Sequence, residues 1–135
     1  MNITGSCHCG EVQYQATVNP DKTMICHCSD CQQLSGTAFR TVVMSIPDGL
    51  TFTNGCVKEY IKTAQSGNKR AQGFCANCGS AIYATSVGEG EKVFGIRLGT
   101  VDQKAALIPK VQIWQRSSVN WLENISEIKS FSTVP

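Results

Sequence analysis

The positions of the cysteines constrain the fold of this chain more than any other feature of its sequence. Seven of the eight cysteines fall into three short motifs, which are Cys7-x-Cys9, Cys26-x-Cys28-x-x-Cys31 and Cys75-x-x-Cys78. The N-terminus lacks the basic and apolar segments of a secretory signal, so we expect a reducing cytoplasm, where clustered thiols bind metal more often than they form disulfides. The fold must therefore bring distant thiols together around metal ions.

One pair of motifs predicts a closed structural site. Cys75 and Cys78 have the spacing of a zinc knuckle, and Gly79 permits the positive φ that follows its second ligand. A knuckle supplies two ligands, and Cys7 and Cys9 form the natural second pair because they lie on one side of a strand with no third cysteine nearby. Four thiolates would join the N-terminus to the middle of the chain and contribute folding free energy directly. The alternative is that these four cysteines are unrelated buried thiols and form no metal site.

The remaining motif predicts an open site. On extended backbone Cys26 and Cys28 point to one side, and Cys31 follows on the next turn, so three thiolates can converge on one ion. Three protein ligands leave a position for water or substrate. Pairing Cys26 and Cys28 with the knuckle instead would leave Cys31 and the N-terminal pair without a site. Cys56 stands alone, and we expect a small buried side chain, with completion of the open site as the alternative.

Both histidines lie between two cysteines spaced i, i+2, so on extended backbone they face away from the metal. For His8 we expect a structural or surface role. His27 lies on the far face of the open site, where it is the candidate for proton transfer or substrate contact. A hydroxyl such as that of Ser29 is the other candidate for assisting proton transfer.

Short β-prone runs separated by turn signals predict a mainly β fold, in one domain over residues 1–135. Turns are predicted at residues 19–22 and 47–49. A short helix is predicted through residues 31–34, capped by Ser29 or Asp30 and ended by Ser35 and Gly36.

Charge and hydropathy limit the partners. The net charge is +2 and the basic residues are scattered, without the basic stripe that nucleic acid requires. No apolar run approaches the ~20 residues that span a bilayer. We therefore expect small-molecule partners rather than nucleic acid or membrane, and the sequence gives no oligomeric state.

The three cysteine motifs, in this order, resemble the glutathione-dependent formaldehyde-activating enzyme family, also called the Gfa or CENP-V domain family. The matching segments are Gly5 to Val12, Cys26 to Cys31 running on to Phe39, and Phe74 to Ser80. Pro109 to Trp114, with Trp121 after it, is similar to the family's C-terminal pattern. Many members have a histidine where this chain has Gln112.

The resemblance implies a single-domain, mainly β fold of the Mss4-like type with short helices, stapled by zinc, and two Zn²⁺ per chain. A structural zinc would map onto Cys7, Cys9, Cys75 and Cys78. A catalytic zinc would map onto Cys26, Cys28 and Cys31. It also implies a carbon–sulfur lyase that joins formaldehyde, or another small aldehyde, to glutathione or a related thiol.

The charge of the open site favours the same chemistry. Three thiolates around Zn²⁺ make the ion a weaker Lewis acid than three imidazoles would, and a sulfur-rich site suits a sulfur ligand. Two other classes stay open. One is a non-catalytic, zinc-stapled module that binds protein or nucleic acid, for which both sites must be closed. The other is thiol redox chemistry, with the three cysteines forming disulfides.

Overall fold

A computed structural model describes all residues 1–135 and has the mainly β architecture with short helices that the sequence predicts. The strands are β1 (Asn2–Ser6), β2 (Gln13–Cys26), β3 (Arg40–Asn54), β4 (Lys58–Thr63), β5 (Lys69–Phe74), β6 (Ala81–Ser86), β7 (Gly95–Arg97) and β8 (Val111–Ile113). The α-helix, α1, spans Ser29–Ser35, and short 3₁₀ segments span Leu98–Thr100, Lys104–Ala106, Gln115–Ser117 and Asn120–Glu127. No helix has the length and apolar character needed to cross a membrane.

All eight strands belong to one sheet. Antiparallel pairing connects seven of them in the order β1-β2-β3-β7-β6-β5-β4, and β8 pairs in parallel with the end of β2. The last residue of β2, Cys26, therefore lies between Arg40 of β3 and Ile113 of β8. This pairing on both sides fixes the backbone at the point where the three-cysteine motif begins.

The two longest strands correct the prediction of turns at residues 19–22 and 47–49. β2 and β3 each continue through the predicted turn, and the register between them shifts on both sides of Asn19. The turn residues are accommodated as irregularities in a long strand pair, where Pro20 and the positive φ of Asp48 are tolerated. Pairing across β2 and β3 overrides the local turn preference.

The buried core includes two of the cysteines. Fourteen buried residues form one apolar cluster, and Cys7 and Cys75 are members of it. Tyr14 is also in this cluster, and its ring lies over Gly5 on the neighbouring strand. A Cβ at Gly5 would lie 2.3 Å from that ring, so the glycine is required by the close approach of the tyrosine. Cys7 and Cys75, one from each of two cysteine pairs, are therefore packed into the same core.

Candidate metal centres

The four-cysteine group is built from two similar backbone turns. Gly10 N–H donates to the Cys7 carbonyl at 3.2 Å, and Gly79 N–H donates to the Cys75 carbonyl at 2.8 Å. The two glycines have φ of 84° and 78°, as the knuckle motif predicts for the second. Val12 N–H also donates to the Cys7 sulfur at 3.2 Å. The backbone thus holds the thiols in place and aims an N–H group at a sulfur.

The sulfur positions fit a tetrahedral ion. The four Sγ atoms of this group lie within 4.8 Å of one another. Cys7 and Cys9 sulfurs are 3.5 Å apart, and Cys9 and Cys75 sulfurs are 3.8 Å apart. Ligands ~2.3 Å from a tetrahedral Zn²⁺ would lie ~3.8 Å from each other. Hydrogen bonds from the Ser80 hydroxyl and from the backbone N–H groups of Cys9 and Ser80 lower the pKa of Cys78 to about 5, which favours the thiolate that a metal needs.

The three-cysteine group lies where β2 passes into α1. Cys26, Cys28 and Cys31 bring their sulfurs within 4.8 Å of one another. Cys28 is the N-cap of α1, since its backbone is extended and its sulfur accepts from the Cys31 N–H at 3.3 Å. The predicted caps, Ser29 and Asp30, are therefore wrong by one and two residues. The sulfur provides the acceptor that an oxygen provides in most helix caps, so a candidate ligand also sets the start of the helix.

No cysteine, histidine, aspartate or glutamate joins Cys26, Cys28 and Cys31 as a fourth candidate ligand. The contact between the Cys26 and Cys31 thiols lowers the pKa of Cys26 and, together with burial, raises the pKa of Cys31. A metal binds cysteine as the thiolate, so all three thiols must lose their protons when an ion binds. Cys56 is exposed and belongs to neither group, so the expectation of a buried side chain is wrong. The three sulfurs can hold a metal and leave a ligand position open.

The two histidines occupy different environments. His8 is exposed, as expected of a surface residue. His27 is 2% exposed, and its ring packs against Phe39. Its Nε2–H donates a hydrogen bond to the Gln112 side-chain oxygen at 2.7 Å, and its Nδ1 is buried without a partner. Gln112 therefore contacts His27 directly.

A cavity of about 150 Å³ has Cys28 in its wall. Trp114 forms one wall in a left-handed conformation with φ of 56°, and the Arg116 guanidinium lies 4.9 Å from the centre of its ring. Lys62 and Asp30 also line the cavity and form an ion pair at 2.8 Å. Uncommon backbone conformations in non-glycine residues concentrate at ligand sites, so this cavity is the candidate approach to the open position.

Sequence reasoning did not identify two arginines near the three cysteines. Arg40 is directly opposite Cys26, and Arg97 pairs with the strand β3 two residues further on. Burial lowers the pKa of Arg40, while Cys31, Cys28 and Cys26 oppose that shift. Burial, with the charge of Arg40, lowers the pKa of Arg97 to about 9. The sequence signal that could have identified these residues is an arginine inside an otherwise apolar strand.

The fold and the two thiol groups define a class: a mainly β protein with one four-cysteine and one three-cysteine candidate metal centre. Residues 2–117 match the family described as glutathione-dependent formaldehyde-activating enzyme. The chain belongs to this family, which confirms the resemblance drawn from its motifs.

One solved structure with the same fold is the crystal structure of a Rhodobacter sphaeroides protein. The two chains are 18% identical with a TM-score of 0.54, over 86% of this chain and 96% of that one. No curated protein matches the chain. The structural similarity bears on the fold alone.

Proposed function

We propose that this chain is a zinc-dependent carbon–sulfur lyase that joins glutathione, or a related thiol, to formaldehyde or another small aldehyde. We further propose that it acts as one domain over residues 1–135 in a reducing compartment such as the cytoplasm. Family membership supports the glutathione and formaldehyde chemistry. The observation that carries the proposal is the three-sulfur group without a fourth protein ligand beside a cavity that reaches Cys28.

The metal assignment follows the donor chemistry. Cys7, Cys9, Cys75 and Cys78 would hold a structural Zn²⁺, because four thiolates close a tetrahedral site. Cys26, Cys28 and Cys31 would hold the catalytic Zn²⁺, whose chemistry when bound is to accept a soft sulfur ligand at the open position.

The reaction is an addition that needs no oxidant or reductant. A carbon–sulfur bond forms between the thiol and the aldehyde carbon, the carbonyl π bond breaks, and the thiol proton ends on the new hydroxyl. Trp114 would exclude water from one side of the cavity at Cys28, and Arg116 gives that cavity positive charge, since Lys62 is paired with Asp30. Ser29 also lines this cavity, which supports its hydroxyl as the group that would give a proton to the developing alkoxide.

His27 remains a predicted proton-transfer residue. A direct role requires its unpartnered Nδ1, since Nε2 is bound to Gln112. Replacing His27 with Phe, which keeps a buried ring against Phe39, should lower kcat by about 100-fold if that nitrogen exchanges a proton. Steady-state rates measure the effect, with zinc content as the control. Unchanged kcat with both metals retained would leave His27 a packing residue.

The test of the proposed function combines metal content with an exchange assay. We expect about two Zn²⁺ per chain, and magnetisation-exchange NMR on a glutathione–formaldehyde mixture should show faster interconversion than without protein. Cys56→Ser, outside both groups, should exchange at the wild-type rate. A binding module with two closed sites needs an eighth ligand, and Cys56 is not in reach of either group. Two zinc ions without accelerated exchange would contradict the lyase. Disulfides among the three cysteines with zinc released by mild oxidant would favour redox chemistry.

A further inference from the structure

A second feature beside the three cysteines has no part in the reaction described above. Arg40 is 5% exposed, and its Nη2 atom is buried without a hydrogen-bond partner. Arg97 has a buried Nε without a partner, and its Nη2 donates to the Gln72 side-chain oxygen at 2.6 Å. Buried guanidinium groups are costly unless an anion or hydrogen bonds compensate them.

No carboxylate of the chain compensates these charges. The structure has one ion pair, between Lys62 and Asp30, and it involves neither arginine. The three thiolates with a divalent cation would carry one net negative charge, which offsets one of the two guanidinium groups. One positive charge is therefore left to be matched by an anion that the chain does not supply.

A cavity of about 180 Å³ adjoins Arg40 and can receive that anion. Its walls combine Arg40 and Gln72 with apolar and aromatic side chains, which is the composition of a small-molecule site. Leu34, on the wall, lies one helical turn after Cys31, so the cavity borders the helix that carries the candidate metal ligand. No acidic side chain lines this cavity, and the hydroxyl of Tyr83 on its wall donates to Glu59 at 3.1 Å.

We propose that this cavity is a subsite for a carboxylate of the thiol substrate and that Arg40 is the residue that binds the carboxylate. The inference rests on the proposed function for its choice of ligand. Arg97 supports the subsite by adding positive charge behind Arg40. The subsite would select thiols that bear a carboxylate at a distance from the sulfur over neutral thiols of similar size.

The experiment compares two ligands that lack a free thiol, so that binding does not depend on the lyase chemistry. S-methylglutathione retains both carboxylates, and its diethyl ester has none. Titration calorimetry on the zinc-loaded protein should show the acid binding ~10- to 100-fold more tightly than the ester, the size expected of a charged hydrogen bond. In Arg40→Met the two ligands should bind equally weakly. Arg70→Met, which removes an arginine that does not line the cavity, should keep the preference.

Equal binding of acid and ester to the wild type would overturn the subsite. So would an acid preference of wild-type size in Arg40→Met, whether or not both ligands also bind more weakly, since Arg40 would then not be the group that binds the carboxylate. If Arg40→Met does not fold, Arg40→Lys keeps the charge and should retain part of the preference. Absence of glutathione–formaldehyde exchange counts against the proposed function and leaves this binding comparison to be decided separately.

Discussion

Replacing Cys75 with serine should leave the chain largely unfolded at 25 °C. The side chain is 1% exposed within the apolar core, and its sulfur belongs to the group that joins the start of the chain to the turn between β5 and β6. Structural zinc contributes ~10–16 kcal/mol in small zinc-binding peptides, whereas a whole domain has a net stability of ~5–15 kcal/mol. Far-UV circular dichroism and thermal unfolding measure the loss.

Cys56→Ser is the matched control, because it removes an exposed thiol outside both groups and should unfold like the wild type. A strong chelator should reproduce the effect of Cys75→Ser on the unsubstituted chain, and added Zn²⁺ should restore the fold. A Cys75→Ser protein with wild-type unfolding temperature and both metals would show that these four thiols are not a structural site.

The division of the cysteines could be predicted because it depends on local spacing. Ligand pairs separated by one or two residues fix which sulfurs share a turn, and the count then assigns four to one group and three to the other. Gly79 is predictable for the same reason, since the turn after the second cysteine requires positive φ. The β-prone runs likewise predicted the mainly β class.

Features that depend on register could not be predicted. Arg40 faces Cys26 only because β2 and β3 pair with a particular alignment, interrupted by three register shifts. Gln112 meets His27 because β8 joins the end of β2 in parallel, across 85 positions of sequence. The prediction of the helix cap was wrong for a different reason: the Cys28 sulfur accepts the hydrogen bond that an oxygen accepts in most helix caps.

Cys31→Ser should remove one of the two zinc ions and reduce the exchange rate by at least about 1000-fold while leaving the fold intact. A metal that binds and activates a reacting group supplies several kcal/mol of transition-state stabilisation, and each 1.4 kcal/mol is tenfold in rate. Cys31 is partly exposed on α1 and outside the apolar core, so the chain should stay folded, with its free energy of unfolding lowered by the binding free energy of the one lost metal. Metal analysis, the NMR exchange assay and thermal unfolding measure the three effects together.

Cys31 separates chemistry from folding better than its neighbours. Cys28 also caps α1, and Cys26 is buried at the end of β2 between two strands, so substitutions there would disturb the backbone as well as the metal. Loss of both metals from Cys31→Ser would show that the two centres are not independent, and retained activity would show that the three-cysteine group is not catalytic. A folded protein that retains one zinc and shows no exchange is the result expected of an open catalytic centre beside a closed structural one.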